Sequence, residues 1–252
     1  MYRNFTPVKH ASLYDEGPGQ YRIGIVALSN DYVIERDFIN MRPSDNVAIY
    51  TSRIQNTQDC TVETLQAMAP EITKAAALLV PEGRLDVVAY GCTSGTAVLG
   101  YDKVRSLVHE SRPDVPVTTP LTSSLDALNQ FCAQKIAVLT PYMDDINAGL
   151  SDFLGANGKT ISGFTSFKIV DNEQMAKITA DSIYHAAVEA DRDDADALFI
   201  SCTAIRAVDV VERIEQALGK PVVTAVQALF WQSLREAGCN EKVLGYGQLL
   251  RL

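Results

Sequence analysis

The chain has 252 residues, 47% of them hydrophobic and 21% charged, and its 22 Lys and Arg against 31 Asp and Glu leave a formal net charge of −9. That length suits one large or two small domains, and the composition supports a sizeable buried core while excluding global disorder. The acidic balance argues against nucleic acid, whose phosphates demand clustered cations, and against an anionic membrane surface.

Residues Met1–Gln20 mix Arg3, Lys9, Asp15 and Glu16 with Gly17-Pro18-Gly19 and lack the apolar centre of a secretory signal, so a loose arm is expected there. No apolar run approaches the ~18–20 residues of a membrane span. Beyond the arm, short β-branched runs alternate with segments of helical period, the pattern of an α/β chain with parallel strands. Strands are predicted at Tyr21–Leu28, Val47–Ile54, Asp86–Gly91, Val115–Thr118, Lys135–Thr140, Thr165–Val170, Ala197–Ser201 and Val222–Thr224. Between them, Val62, Leu65, Ala69, Ile72, Ala76 and Leu79 outline a helix capped by Thr61 and kinked at Pro70. Met175, Ile178, Ser182 and Ala186 outline a second, and Val208, Val211, Ile214 and Leu218 a third, ended by Gly219 and Pro221.

The two halves of this pattern resemble each other. Asp86–Thr93 matches Asp196–Thr203, Ile23–Val26 matches Ile136–Leu139, and Pro116-Val117-Thr118 parallels Pro221-Val222-Val223-Thr224, all at nearly equal spacing. Two related α/β lobes with a cleft between them are expected.

Signatures of common cofactors are missing. Gly17-Pro18-Gly19 precedes the first strand and cannot form the glycine turn of a dinucleotide fold, and no phosphate-cradling GxxxxGK[ST] loop occurs. His10, His109 and His185 are isolated, and the five cysteines, Cys60, Cys92, Cys132, Cys202 and Cys239, show no CxxC pair. Reduced thiols and a cytoplasmic setting are expected, with no cofactor and no metal.

Two of those thiols share one local device: an apolar strand runs into Cys-Thr, followed by small residues, at Cys92-Thr93-Ser94-Gly95 and at Cys202-Thr203-Ala204. Ligand sites of open α/β sheets lie beyond such carboxyl-terminal strand ends, where a helix N-terminus would favour a thiolate and free N–H groups a ligand carboxylate. A single buried cysteine is ordinarily a small hydrophobe, but packing gives no reason to repeat Cys-Thr at matched positions. Cys60, Cys132 and Cys239 lack that setting and are assigned to packing. Two thiols facing one cleft can exchange a proton across two faces, or add to a carbon while the other delivers a proton.

From about Arg22 to Gly238 the chain resembles the aspartate/glutamate racemase superfamily, and within it the maleate cis–trans isomerases and their ectoine-utilisation relatives. The likeness rests on Val88–Thr96, Ser201–Ala207, Thr140-Pro141-Tyr142 through Asn147, Asp171-Asn172, and Gly219–Thr224 leading to Gln227–Trp231. It implies two Rossmann-like lobes related by a pseudo-twofold axis, the first built from residues 1–120 plus 221–252 and the second from 121–220. It also implies a homodimer and cofactor-independent catalysis on a small carboxylate by Cys92 and Cys202, bordered by Thr93, Ser94 and Thr203. Asn30, Tyr142 and Asn172 then match positions that bind the substrate carboxylate. On the residues alone, Asn30 serves equally as a helix N-cap, Tyr142 as a packing residue and Asn172 as a turn residue. Arg206 fits either a carboxylate clamp or a structural ion pair on a helix after Cys202.

The chain also departs from its relatives. No proline precedes Ser29-Asn30, and Val226 stands where ectoine-related members often carry Asn. Ala204-Ile205 replaces the histidine usual in amino-acid racemases, which counts against plain aspartate or glutamate racemisation. Cys92 counts against a decarboxylase that uses only the second cysteine. A cis–trans isomerase is therefore expected, with a racemase or epimerase and a non-catalytic carboxylate sensor as alternatives.

Overall fold

The computed structural model describes residues 3, 5–10 and 13–252. Residues 1, 2, 4, 11 and 12 of the expected arm lie outside the described residues, and the rest of the arm carries neither helix nor strand before Tyr21.

The first half runs β1 (Tyr21–Leu28), α1 (Ile34–Asn40), β2 (Val47–Ile54), α2 (Val62–Ala67), α3 (Ala69–Leu78), β3 (Val87–Tyr90), α4 (Thr93–Leu99), α5 (Tyr101–His109), β4 (Val117–Thr118) and α6 (Pro120–Gln130). The second runs β5 (Lys135–Thr140), α7 (Asp144–Ala156), β6 (Thr160–Ser166), α8 (Asn172–Lys177), α9 (Ala180–Ala190), β7 (Ala197–Ile200), α10 (Val211–Leu218), β8 (Val222–Thr224) and α11 (Ala225–Glu236). Each half forms a parallel four-stranded sheet, in the orders β2-β1-β3-β4 and β6-β5-β7-β8. The repeated motif thus places β3 and β7 at the same interior position of matched sheets. Both strands are buried along their whole length, as expected for parallel strands covered by helices on both faces.

The last strand and helix fall on different sides. β8 pairs with β7, so residues 222–224 belong to the second sheet rather than to the first-lobe segment 221–252 expected from the family. The following helix α11 returns to the first sheet. Its Phe230 meets Phe38 of α1 edge to face at 4.9 Å, and its Ser233 hydroxyl bonds Thr118 of β4 at 2.9 Å. The two hydrophobic clusters each draw on residues of both halves, so the core is continuous across the cleft.

Two helical expectations and one strand expectation change. The segment from Val62 to Leu79 is two helices that meet at Met68, and Pro70 lies in the first turn of α3, where its missing N–H costs no bond. Thr61 does cap α2, in a reciprocal capping box with Thr64. The segment from Met175 onward also divides, at Ile178 and Thr179, with Thr179 capping α9. The sixth strand lies at Thr160–Ser166 instead of Thr165–Val170. Its half-buried, Gly- and Thr-containing edge lacks the apolar run that marks the interior strands.

Candidate active site

Both Cys-Thr steps open into one small interlobe cavity. All eight residues singled out in the sequence line it: Asn30, Cys92, Thr93, Ser94 and Thr203 together with Tyr142, Asn172 and Cys202. Asp31, Asn56 and Cys60 line it as well, and sequence reasoning assigned them no place there.

The first thiol sits at a helix N-terminus as expected. Cys92 is the N-cap of α4, and its Sγ accepts the Gly95 N–H at 3.2 Å. Gly95 leaves the room this needs, since a Cβ there would fall 2.5 Å from the Tyr90 hydroxyl and 3.0 Å from Cys92 Sγ. The Ser94 hydroxyl lies 3.5 Å from Cys92 Sγ and accepts from the Cys60 thiol at the same distance, so Cys60, set aside as packing, joins the cavity wall. Its only sequence signal was an unremarkable Asp-Cys-Thr before a helix.

The second thiol is held differently. No helix starts at Cys202; the chain turns through Thr203–Arg206 into a single 3-10 turn, Ala207–Asp209, before α10 begins. Cys202 itself has φ +97°, a region costly to any residue with a Cβ. The turn aims the Ala204 N–H at Cys202 Sγ at 3.3 Å, and the Thr203 hydroxyl crosses to the Gly91 carbonyl at 3.1 Å. Arg206 lies ahead of the 3-10 turn, not on a helix, and donates to the Ile178 carbonyl at 2.9 Å, so it is neither the helical ion pair nor a cavity-lining clamp.

Burial outweighs the N–H groups. The Cys92 thiol is 3% exposed and is pushed up to about 12 by desolvation and the neighbouring Cys60, against the opposing pull of Ser94 and Gly95. Cys202, 5% exposed, is driven up by burial as well, with the Tyr142 hydroxyl and the Ala204 N–H pulling the other way. Both thiols are therefore protonated in the empty site, contrary to the thiolate expected from helix geometry alone. Tyr142 is held at the entry to α7, where Asn147 Nδ2 and the Ser166 hydroxyl donate to its carbonyl, and burial lifts its phenol well above the usual range.

The loop after β2 closes the cavity. Asn56 Nδ2 donates to Asn30 Oδ1 at 3.1 Å, and Asn30 Nδ2 donates to the Thr57 carbonyl at 2.9 Å. Gln58 offers its carbonyl to both the backbone and the side chain of Asn172, at 3.1 and 3.2 Å, which ties α8 of the second half to the first. Asn172 is the first residue of α8 while Asp171 caps it, and Asn30 is not the cap of α1. Val33 is the N-cap residue, and Asp31, two residues ahead of it, satisfies the helix entry, its Oδ1 accepting the N–H groups of Val33 and Ile34 at 2.7 and 2.9 Å. The Thr93 hydroxyl and Asp31 Oδ2 are buried without a hydrogen-bond partner among the described residues.

The chain is similar over nearly its whole length to known maleate isomerases. That of Nocardia farcinica is 28% identical, the match covering 92% of this chain and 96% of the relative. That of Alcaligenes faecalis is 24% identical over 91% and 96%. The arylmalonate decarboxylase of Bordetella bronchiseptica is 33% identical, over only 54% of this chain and 58% of its own. Among solved structures, the N. farcinica maleate cis–trans isomerase with a covalently bound succinylcysteine intermediate superposes with a TM-score of 0.84 at 25% identity, covering 92% of this chain and 98% of that one. A liganded arylmalonate decarboxylase variant gives 0.81 at 28% identity, covering 91% and 98%. The profile of the arylmalonate decarboxylase family matches residues 46–250, and with matched sheets delivering a cysteine pair to one cavity, the chain belongs to that family, in its maleate isomerase group.

Proposed function

We propose that the protein is a cysteine-dependent cis–trans isomerase of a small unsaturated dicarboxylate of the maleate type. The observation that carries this reading is the convergence of Cys92 and Cys202, from equivalent strand ends, on one buried cavity. A decarboxylation needs one proton donor; adding to an alkene and protonating its neighbouring carbon needs two groups. The full-length likeness to maleate isomerases, one with a succinylcysteine intermediate, supports the same chemistry.

In the proposed sequence the Cys92 thiol first releases its proton to water, and the resulting thiolate sulfur bonds to one alkene carbon. The π pair moves to the adjacent carbon, which takes the Cys202 proton. The former double bond is now single and rotates. Cys202 thiolate then removes a proton from that carbon, the C–S bond breaks, and the trans alkene leaves with Cys92 again a thiolate. Gly95 N–H and the Ser94 hydroxyl are placed to donate to the Cys92 anion, while Ala204 N–H and Tyr142 serve Cys202 in the same way. Asn30, Asn172 and Thr93 supply neutral hydrogen-bonding groups for carboxylates, and Thr203, whose hydroxyl donates to the Gly91 carbonyl, borders the same site. No step calls for a cofactor. The reading extends, on the family likeness, to a cytoplasmic homodimer and to a first lobe of residues 1–120 plus the C-terminal segment and a second lobe of residues 121–220, to which the pairing of β8 with β7 adds residues 222–224; a monomeric mass in light scattering would refute the dimer.

Proton NMR of maleate incubated with the protein in deuterated buffer tests the reading, with fumarate the expected product. Unchanged maleate, together with solvent deuterium appearing at the α-carbon of a chiral amino or hydroxy acid, would replace it with racemisation.

A further inference from the structure

We propose that Asp31 is a substrate-binding residue that donates a hydrogen bond from its protonated carboxyl group to one end of the dicarboxylate, so that binding takes up a proton. The inference rests on the dicarboxylate reading above and adds a residue and a pH dependence to it.

Asp31 is 5% exposed and lines the cavity beside Asn30. Its two oxygens have different fates. Oδ1 holds the entry to α1 through two backbone N–H groups, whereas Oδ2 is buried and has no hydrogen-bond partner among the described residues. Holding the helix entry explains only the first, because Ser, Thr or Asn would do so as well with one oxygen. A buried, unpaired carboxylate oxygen is costly unless something in the filled site satisfies it.

Among the described residues the cavity wall holds no Lys, Arg or His. A dianion entering it therefore meets neutral donors and one acid. Ionised, Asp31 would repel the substrate in a medium where charges are poorly screened; protonated, Oδ2 becomes a donor aimed at an acceptor. The surrounding charges do not remove this choice. Arg53 of β2 donates to the carbonyls of Leu28, Ser29 and Asp31 and pairs with Glu35 of α1, so its charge is already engaged. Burial and Glu35 of α1 work against ionisation of Asp31, the Val33 and Ile34 N–H groups and Arg53 work for it, and burial outweighs them; the Cys60, Cys92, Cys202 and Tyr142 groups across the cavity are protonated. Burial already lifts the Asp31 carboxyl to about 6 in the empty site, and a bound dianion lifts it further.

The test is the KM for maleate between pH 7 and 8.5, where the substrate is a dianion, with calorimetric titration of fumarate at pH 8 in two buffers of different ionisation enthalpy. For the unaltered protein KM should rise about tenfold per pH unit, and fumarate binding should take up close to one proton. Asp31→Asn keeps the acceptor at the helix entry and provides a permanent N–H donor, so its KM should vary by less than about twofold across the range and proton uptake should vanish. Asp31→Ser keeps that acceptor without the second donor, and should show a raised KM with no slope. An equal slope in the unaltered protein and Asp31→Asn, or no proton uptake by either, would overturn the assignment while leaving the isomerase reading standing. A folded protein that neither converts maleate nor binds fumarate would overturn both.

Discussion

Replacing Asp37 by Asn should stabilise the protein at neutral pH and leave it unchanged in acid. Asp37 lies in the middle of α1 and is fully buried; its Oδ1 accepts from Arg36 Nη1 at 3.1 Å, and Oδ2 has no partner. Burial raises its carboxyl from 3.8 to about 8, with Arg36 pulling back and the acids Asp209 and Asp31 adding to the rise. The folded protein thus holds a proton here that the unfolded chain gives up near 3.8. Full stability is present below that value, falls by about 1.4 kcal/mol per pH unit above it, and levels off once pH passes about 8. At pH 7 the cost reaches about 4 kcal/mol if the whole shift is realised, and about half that if the helix end opens to hydrate the charge. The Asn variant carries no such cost and keeps an acceptor for Arg36. Urea unfolding of both proteins at pH 5, 6, 7 and 8 should give stabilities that differ by about 1–2 kcal/mol at pH 5 and separate by about a further 1.4 kcal/mol per pH unit. A constant separation across that range, or an Asn variant that is less stable at pH 8, would refute the argument that a buried acid governs this slope.

Cys92→Ser and Cys202→Ser should each lower maleate turnover by at least ~10²-fold, the low end for loss of a positioned proton-transfer group, whereas the exposed Cys132→Ser should not alter the rate. Normal turnover by either buried variant would sink the two-thiol mechanism. Gly95→Ala should cut activity by an order of magnitude or more without unfolding the chain, because the added methyl meets the Tyr90 hydroxyl and Cys92 Sγ; an unchanged kcat would mean that Cys92 tolerates displacement. Arg112 donates to the carbonyls of Ala76, Leu79, Val80 and Gly83, pinning a turn in which Val80 and Glu82 have positive φ. Arg112→Met should therefore cost about 2–3 kcal/mol in chemical unfolding, the scale of lost hydrogen bonds to a charged donor, and a cost near zero would refute that role for the guanidinium.

The interior strands were legible residue by residue because parallel strands buried on both faces must be written as short apolar runs. Interior β1 and β5 fall at the predicted bounds for that reason; of the sheet-edge strands, β2 and β8 also fall there, while the half-buried β6, with its glycine and threonines, was misplaced. The repeated Cys-Thr also marked both thiols and their neighbours, since equivalent strand ends in a duplicated α/β chain deliver equivalent residues. What local pattern does not encode is which loops meet. Cys60, Asn56 and Asp31 reach the cavity only because Gln58 bonds across to α8 and because Asp31, one residue beyond Asn30, turns to hold the entry to α1. Nor does spacing specify solvation. The sequence placed each thiol beside helix-end N–H groups, which favour the anion, but the packing of two lobes over them removes the water that would hold its charge. Strand positions and the cysteine pair follow from the one-dimensional pattern; the protonation state of the site and the membership of its walls are properties of the closed cleft.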